Sequence, residues 1–165
     1  MTPTADQLLA HAATFIGVHE TPPGSNRGPQ IDKWERRAQK ISGEPWCACF
    51  AWCMLDDLGL ALPIPYPAAV GSWVEWCRGQ GLLRKRPYRG MPVSFSWAGA
   101  TPTPSDHVGF VEKVLALPRN RPKSPQFSGK YWLLTLEGNS GDAVRHQLRW
   151  VDPAAVAFMD VLRGG

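Results

Sequence analysis

Cys47 follows Gly43-Glu44-Pro45-Trp46 and opens the apolar run that continues through Leu55. A sulfur in the first turn of a helix faces unpaired amides and the positive end of the helix dipole, a setting that favours the thiolate. With a histidine in hydrogen-bond reach, such a thiolate is a competent nucleophile. Cys49 and Cys53 lie one helical turn apart and, like Cys77, read as small buried apolar residues. Among the four histidines, His107 stands out because it opens the strand-like segment Asp106-His107-Val108-Gly109-Phe110-Val111. Gly109, two residues on, removes a side chain from the same strand face and leaves room for an approaching ligand. His11 and His146 read as surface residues, and His19 is open. A third polar element stands where Leu134-Thr135-Leu136 runs into Glu137-Gly138-Asn139-Ser140. Glu137 and Asn139 share a face if strand geometry persists that far, and either one would accept from the imidazole N–H and stabilise the imidazolium.

These groups need a helix start and two strand ends brought together. Thr4 and Gln7 form a capping box, predicting a first helix to about Ile16 with Leu8, Ala12 and Phe15 inward and Gly17 as its end. The segment His19 to Gly28 is a loop. Pro29 starts a second helix, with Ile31, Trp34, Ala38 and Ile41 on one face and Gly43 as its stop. The run Trp46 to Leu55 is apolar nearly all round, as a central buried helix is, and Gly59 closes it. Ala61 to Pro67 is extended, and Val70, Trp73, Val74 and Cys77 mark a further short helix ending near Gly79. The remainder is strand-like over Pro92–Trp97, His107–Val114, Lys130–Leu136, Ala143–Val151 and Val156–Leu162. Helices first and strands afterwards give an α+β fold: N-terminal helices packed on a C-terminal antiparallel sheet of about five strands.

The chain has 165 residues, 44 % hydrophobic and 19 % charged, which fits one domain and excludes a disordered polymer. Eighteen basic against fourteen acidic residues leave a formal charge of +4. Arg84, Lys85, Arg86 and Arg89 form one basic group, and Arg119, Arg121 and Lys123 another within a proline-rich excursion from Leu117 to Gly129. No stretch is apolar enough to span a bilayer, and the first residues lack a signal-peptide pattern, so synthesis as a soluble cytoplasmic product is expected. The crowding of Cys47, Cys49 and Cys53 is unlike a secreted disulfide framework, so free thiols are expected. The terminal Arg163-Gly164-Gly165 suits the start of a linker to another module.

The segments Gly43-Glu44-Pro45-Trp46-Cys47-Ala48 with Phe50, Asp106 to Glu112, and Glu137-Gly138-Asn139-Ser140 resemble the motifs of CHAP-type (cysteine, histidine-dependent amidohydrolase/peptidase) cell-wall hydrolases. These are papain-like modules common in bacteriophage endolysins. Ile16-Gly17, Glu20, Asn26 and the helix of Ile31 and Trp34 resemble the lead-in of phage members, so the likeness spans roughly residues 14 to 162. The resemblance implies cleavage of an amide bond in peptidoglycan, with Cys47 as nucleophile, His107 as general base and acid, and Glu137 with Asn139 as the orienting and polarising pair. The Cys47 amide is then the expected oxyanion donor, and Asn26 and Trp46 are candidates for holding the substrate peptide. Some relatives bind calcium through aspartates just before the cysteine, but Arg36 to Trp46 holds no aspartate, so no metal and no other cofactor are expected. The expected partner is bacterial peptidoglycan. Neither nucleic acid nor stable membrane insertion is expected, the chain is expected to be a monomer, and its place is the host bacterial cytoplasm until release to the wall.

Two other classes compete. A structural zinc module would use Cys47, Cys49, Cys53 and Cys77, but C-x-C-x3-C along one helix splays its first two thiols. A nucleic-acid-binding module would use the arginine groups and the eight tryptophans, although Trp34, Trp52 and Trp73 fall at core-facing or helix positions.

Overall fold

The computed structural model describes residues 2–39, 42–115 and 131–162. Four helices precede six strands: α1 (Ala5–Ala13), α2 (Pro29–Arg37), α3 (Cys47–Asp57), α4 (Val70–Gly79), β1 (Leu83–Arg84), β2 (Pro92–Phe95), β3 (His107–Leu115), β4 (Tyr131–Glu137), β5 (Arg145–Val151) and β6 (Val156–Met159). The strands form one antiparallel sheet in the order β1-β6-β2-β3-β4-β5. This is the expected α+β layering with one strand more than expected. The additional strand, β1, has two residues, Leu83 and Arg84, paired with Met159 and Phe158, and is too short to show alternation in sequence.

The Thr4–Gln7 capping box is present, and α1 buries Leu8, Leu9 and Ala12. It ends at Ala13 rather than Ile16, so Phe15 packs against the core from beyond the helix. Helix α2 stops at Arg37, short of the expected Gly43, because Gln39 turns to φ 57°. Ile41, the Leu117 to Gly129 excursion with Arg119, Arg121 and Lys123, and the terminal Arg163-Gly164-Gly165 lie outside the described residues. The β2, β5 and β6 strands are shorter than expected, and Ala143 instead makes an isolated bridge with His19.

Helix α3 is the spine of the molecule, with Ala48, Cys49, Phe50, Ala51, Cys53, Met54 and Leu55 fully buried. It packs with Val108, Phe110, Leu136, Ala157 and Met159 from one face of the sheet. The other face carries a second cluster of Val93, Phe95, Val111, Leu133, Val151 and Phe158 with Met91. The sheet centre is therefore apolar on both sides, and polar groups gather at one end of β3, β4 and β5. Gly138, just past β4, lets the chain lie against α3, since a Cβ there would stand 2.6 Å from Phe50 Cβ. That contact helps bring the end of β4 up to the start of α3.

Among the described residues no helix is long and apolar enough to cross a membrane. The first basic group is partly spent inside the molecule: Arg84 donates to Asp160 at 2.8 Å and Arg89 pairs with Asp6. Of the tryptophans expected at core-facing or helix positions, Trp34 and Trp73 are buried and Trp52 is half-buried, while Trp97 and Trp132 are exposed.

Candidate active site

Trp46 is the N-cap of α3 and Cys47 its first residue. The Cys47 amide therefore has no partner within the helix's own ladder and points out of its N-terminal end. Cys47 is 4 % exposed and lines a mainly polar cleft of about 440 Å³ together with His107, Trp97, Asp106, Asn139 and the β5 side chains Arg145, Gln147 and Arg149.

His107 Nε2 donates to Glu137 Oε2 at 2.8 Å, and the ring also hydrogen-bonds the Cys47 side chain. With Nε2 committed to the carboxylate, Nδ1 is the nitrogen left for the sulfur. The register explains the pairing. Phe110 stands opposite Leu136, so Gly109 and Glu137 occupy neighbouring sites on the sheet face that also carries His107. A Cβ on Gly109 would lie 2.5 Å from Glu137 Cγ. The space Gly109 leaves is therefore filled by the Glu137 side chain, and the expectation that it admits a ligand is corrected.

Glu137 is fully buried and accepts four hydrogen bonds: from His107, from Thr135 Oγ1 at 2.5 Å, and from Arg149 Nε and Nη2 at 2.9 and 2.5 Å. Burial alone would raise its pKa, but the Arg149 fork, the imidazole and the threonine hydroxyl hold it down at about 2. For His107 burial likewise opposes the charge, yet its contacts with Cys47 and Glu137 raise the imidazole to about 9. The ring is thus held as imidazolium between a sulfur and a carboxylate. Burial pushes the Cys53 and Cys77 thiols up to about 12, so neither is a nucleophile at neutral pH.

Other expected site residues take different places. Strand geometry does not persist to Asn139, which turns to φ 55°, so it leaves the face of Glu137 and does not reach the imidazole as an orienting partner. Turned so that both ends of its amide meet complementary groups, it donates to Glu20 Oε1 and accepts from the Trp46 amide, each at 3.1 Å. It still lines the cleft. Trp46 is fully buried, stacked on Trp34 at 5.7 Å with its Nε1 donating to Glu20 Oε1 at 3.0 Å, so it cannot hold a peptide. The Asn26 amide donates to the Gly43 carbonyl at 3.4 Å. Its backbone N–H donates to Glu20 Oε2 at 2.8 Å, and it is not among the residues lining the cleft. Asn26 and Trp46 are thus braces of the Cys47 approach, and for the fully buried Trp46 side chain the expected part in substrate binding is corrected.

Arg149, Thr135 and Trp97 were not singled out by sequence reasoning. The alternation Arg145, Gln147, Arg149 is visible in the chain as a polar strand face, but the β4–β5 register sets Arg145 opposite Glu137 and Arg149 opposite Leu133, so Arg149 meets Glu137 only along the length of its side chain. Trp97 is 58 % exposed and stacks on His107 and Phe95, with ring centroids 5.9 and 5.5 Å away. The Arg149 guanidinium carbon lies 5.2 Å from its ring centroid. Away from the site, His11 pairs with Asp57 and His146 with Glu112, while His19 Nδ1 meets the Gly17 carbonyl at 2.9 Å. None of the four cysteines is in a disulfide, and among the described residues no group of three or more His, Cys, Asp or Glu side chains could hold a metal ion.

A sulfur at a helix start, an imidazole on a strand and a buried carboxylate behind it define the site type of papain-like cysteine hydrolases. The CHAP domain family matches residues 39–119, which hold Cys47, His107 and the helix and strands that position them. That match supports a CHAP-type peptidase domain, a class of cysteine hydrolases of the amidase and peptidase type acting on peptidoglycan. No curated protein and no solved structure matches the chain.

Proposed function

We propose that the protein hydrolyses an amide bond in the stem peptide or cross-link of peptidoglycan through a cysteine acyl-enzyme. The observation that carries this reading is the His107 ring, bonded at once to Cys47 and to Glu137. The Cys47 sulfur attacks the carbonyl carbon as thiolate, forming a C–S bond, and the Cys47 amide donates to the developing oxyanion. His107 passes a proton to the leaving nitrogen as the C–N bond breaks. The neutral imidazole then takes a proton from water, whose oxygen attacks the thioester and expels the sulfur. Glu137 fixes the ring and balances its charge in both steps. The phage-lysin lead-in motifs support an endolysin that is made in the host cytoplasm and reaches the wall on release.

Cys47→Ala and His107→Ala are each expected to abolish release of peptides from purified cell walls while leaving the fold intact, as read by circular dichroism. Mass spectrometry of the digest identifies the bond through its new termini: a free amino terminus on lactyl-free peptides marks an amidase, and one within the stem or bridge marks an endopeptidase. Full activity in either variant overturns the reading.

A further inference from the structure

Arg145 opens β5 opposite Glu137 and projects into the cleft that holds Cys47 and His107. Its guanidinium meets Gly141 end-on: a Cβ there would stand 1.6 Å from Nη2, 2.6 Å from Cζ and 3.3 Å from Nη1. Gly141 also has φ 54°, so it is glycine for two reasons, and both leave the guanidinium seated on bare backbone. The other cations at the cleft are spent, Arg149 as a fork on Glu137 and the imidazole between Glu137 and Cys47. Asp106, the acid lining this cleft, accepts from the Trp97 amide at 2.7 Å. Among the described residues Arg145 has no acidic partner. A seated fork with open donors beside a nucleophile is suited to a planar carboxylate, which it meets with two parallel hydrogen bonds. Gln147, the next side chain on this strand face and also in the cleft, adds an amide donor in the same row.

We propose that Arg145 is a specificity-determining residue that anchors a free carboxylate of the substrate close to the scissile amide, so that stem peptides with a free carboxyl are cut in preference to amidated ones. This rests on the hydrolase reading above and narrows its substrate.

The test uses two soluble muropeptide fragments identical except for one carboxyl group near the scissile bond, free in one and amidated in the other. The wild-type chain is expected to cut the free acid with kcat/KM about 10- to 100-fold higher, mostly through KM, the size expected for loss of one charge-assisted pair. Arg145→Gln should bring that ratio close to one. Gly141→Ala, which keeps the arginine but displaces its fork, should lower the ratio as well. Thermal unfolding of both variants identifies any loss that comes from the fold. Binding of the two fragments to Cys47→Ala and to Cys47→Ala/Arg145→Gln, by calorimetry, separates the two claims. Arg145-dependent binding of the free acid without turnover by the wild-type chain sinks the hydrolase reading and keeps the anchor. Turnover with no preference, or with a preference that survives Arg145→Gln in a folded protein, overturns the anchor and keeps the hydrolase.

Discussion

Glu137 carries a full charge in an environment that, unpaired, would cost several kcal/mol, and it does so because four donors converge on its two oxygens. In the proposed reaction its work is to hold the His107 ring in one orientation with Nδ1 turned toward the sulfur. Glu137→Gln keeps the shape but removes the charge and presents an amide whose N–H₂ cannot accept from the ring. By analogy with carboxylate-to-amide changes in other triads, kcat is expected to fall by about 10²- to 10⁴-fold. Asn139→Ala loses contacts to Glu20 and Trp46 and is expected to cost about 1 kcal/mol of stability with a smaller loss of rate. Steady-state kinetics on wall fragments together with denaturant midpoints check this order. A larger kinetic loss for Asn139→Ala reverses the roles. Cys47 and His107 were legible in the sequence because a helix start and a strand start announce themselves in residue type. The choice between Glu137 and Asn139 was not legible, since it turns on one positive φ at the end of a strand.

Strands β3 and β4 meet so closely at Gly109 that the Glu137 side chain passes where a Cβ would be. Gly109→Ala must displace either that side chain or the strand, because the added carbon would also lie 3.2 Å from the Leu136 carbonyl. The expected result is a loss of activity well beyond the loss of stability, with the alkaline limb of the pH–rate profile shifted down as the imidazole loses its partner. Gly79→Ala at the exposed end of α4 meets nothing within 4 Å and serves as the control, neutral to slightly stabilising. Melting temperatures and pH–rate profiles of the pair distinguish the two sites. The sequence shows Gly109 as an absence on a strand face, but what occupies the gap depends on register with β4. Register is fixed by pairings across an intervening segment of chain, which local alternation does not encode. The same reason hid Arg149, whose strand was visible and whose target was not, and the two-residue β1, which has no pattern to read.

Stability of the folded chain is tied to the ionised pair at one end of its sheet. His107 titrates at about 9 in the fold against an ordinary 6.5, so its contribution is complete below pH 6.5 and is lost as pH rises through 9. Glu137 titrates at about 2 against an ordinary 4.5, so its contribution is complete above pH 4.5 and is lost as pH falls through 2. Both are in full force between about pH 4.5 and 6.5. The melting temperature is expected to decline from pH 7 to pH 9.5, and His107→Ala is expected to flatten that decline. Calorimetric scans across this range, for both proteins, are the check. Activity that requires the imidazolium should fall along the same alkaline limb. The layered α+β architecture was legible in the sequence, because helical and strand periodicities occupy separate halves of the chain. The two-sided burial of the sheet was not, since a strand buried on both faces lacks the alternation that would reveal it.

Cys49, Cys53 and Cys77 are wholly enclosed, and Cys47 alone among the four sulfurs borders the cleft. An electrophilic warhead therefore has no selectivity problem within this chain: whatever small molecule can enter a polar trough between two arginines and a tryptophan finds a single soft target at its floor.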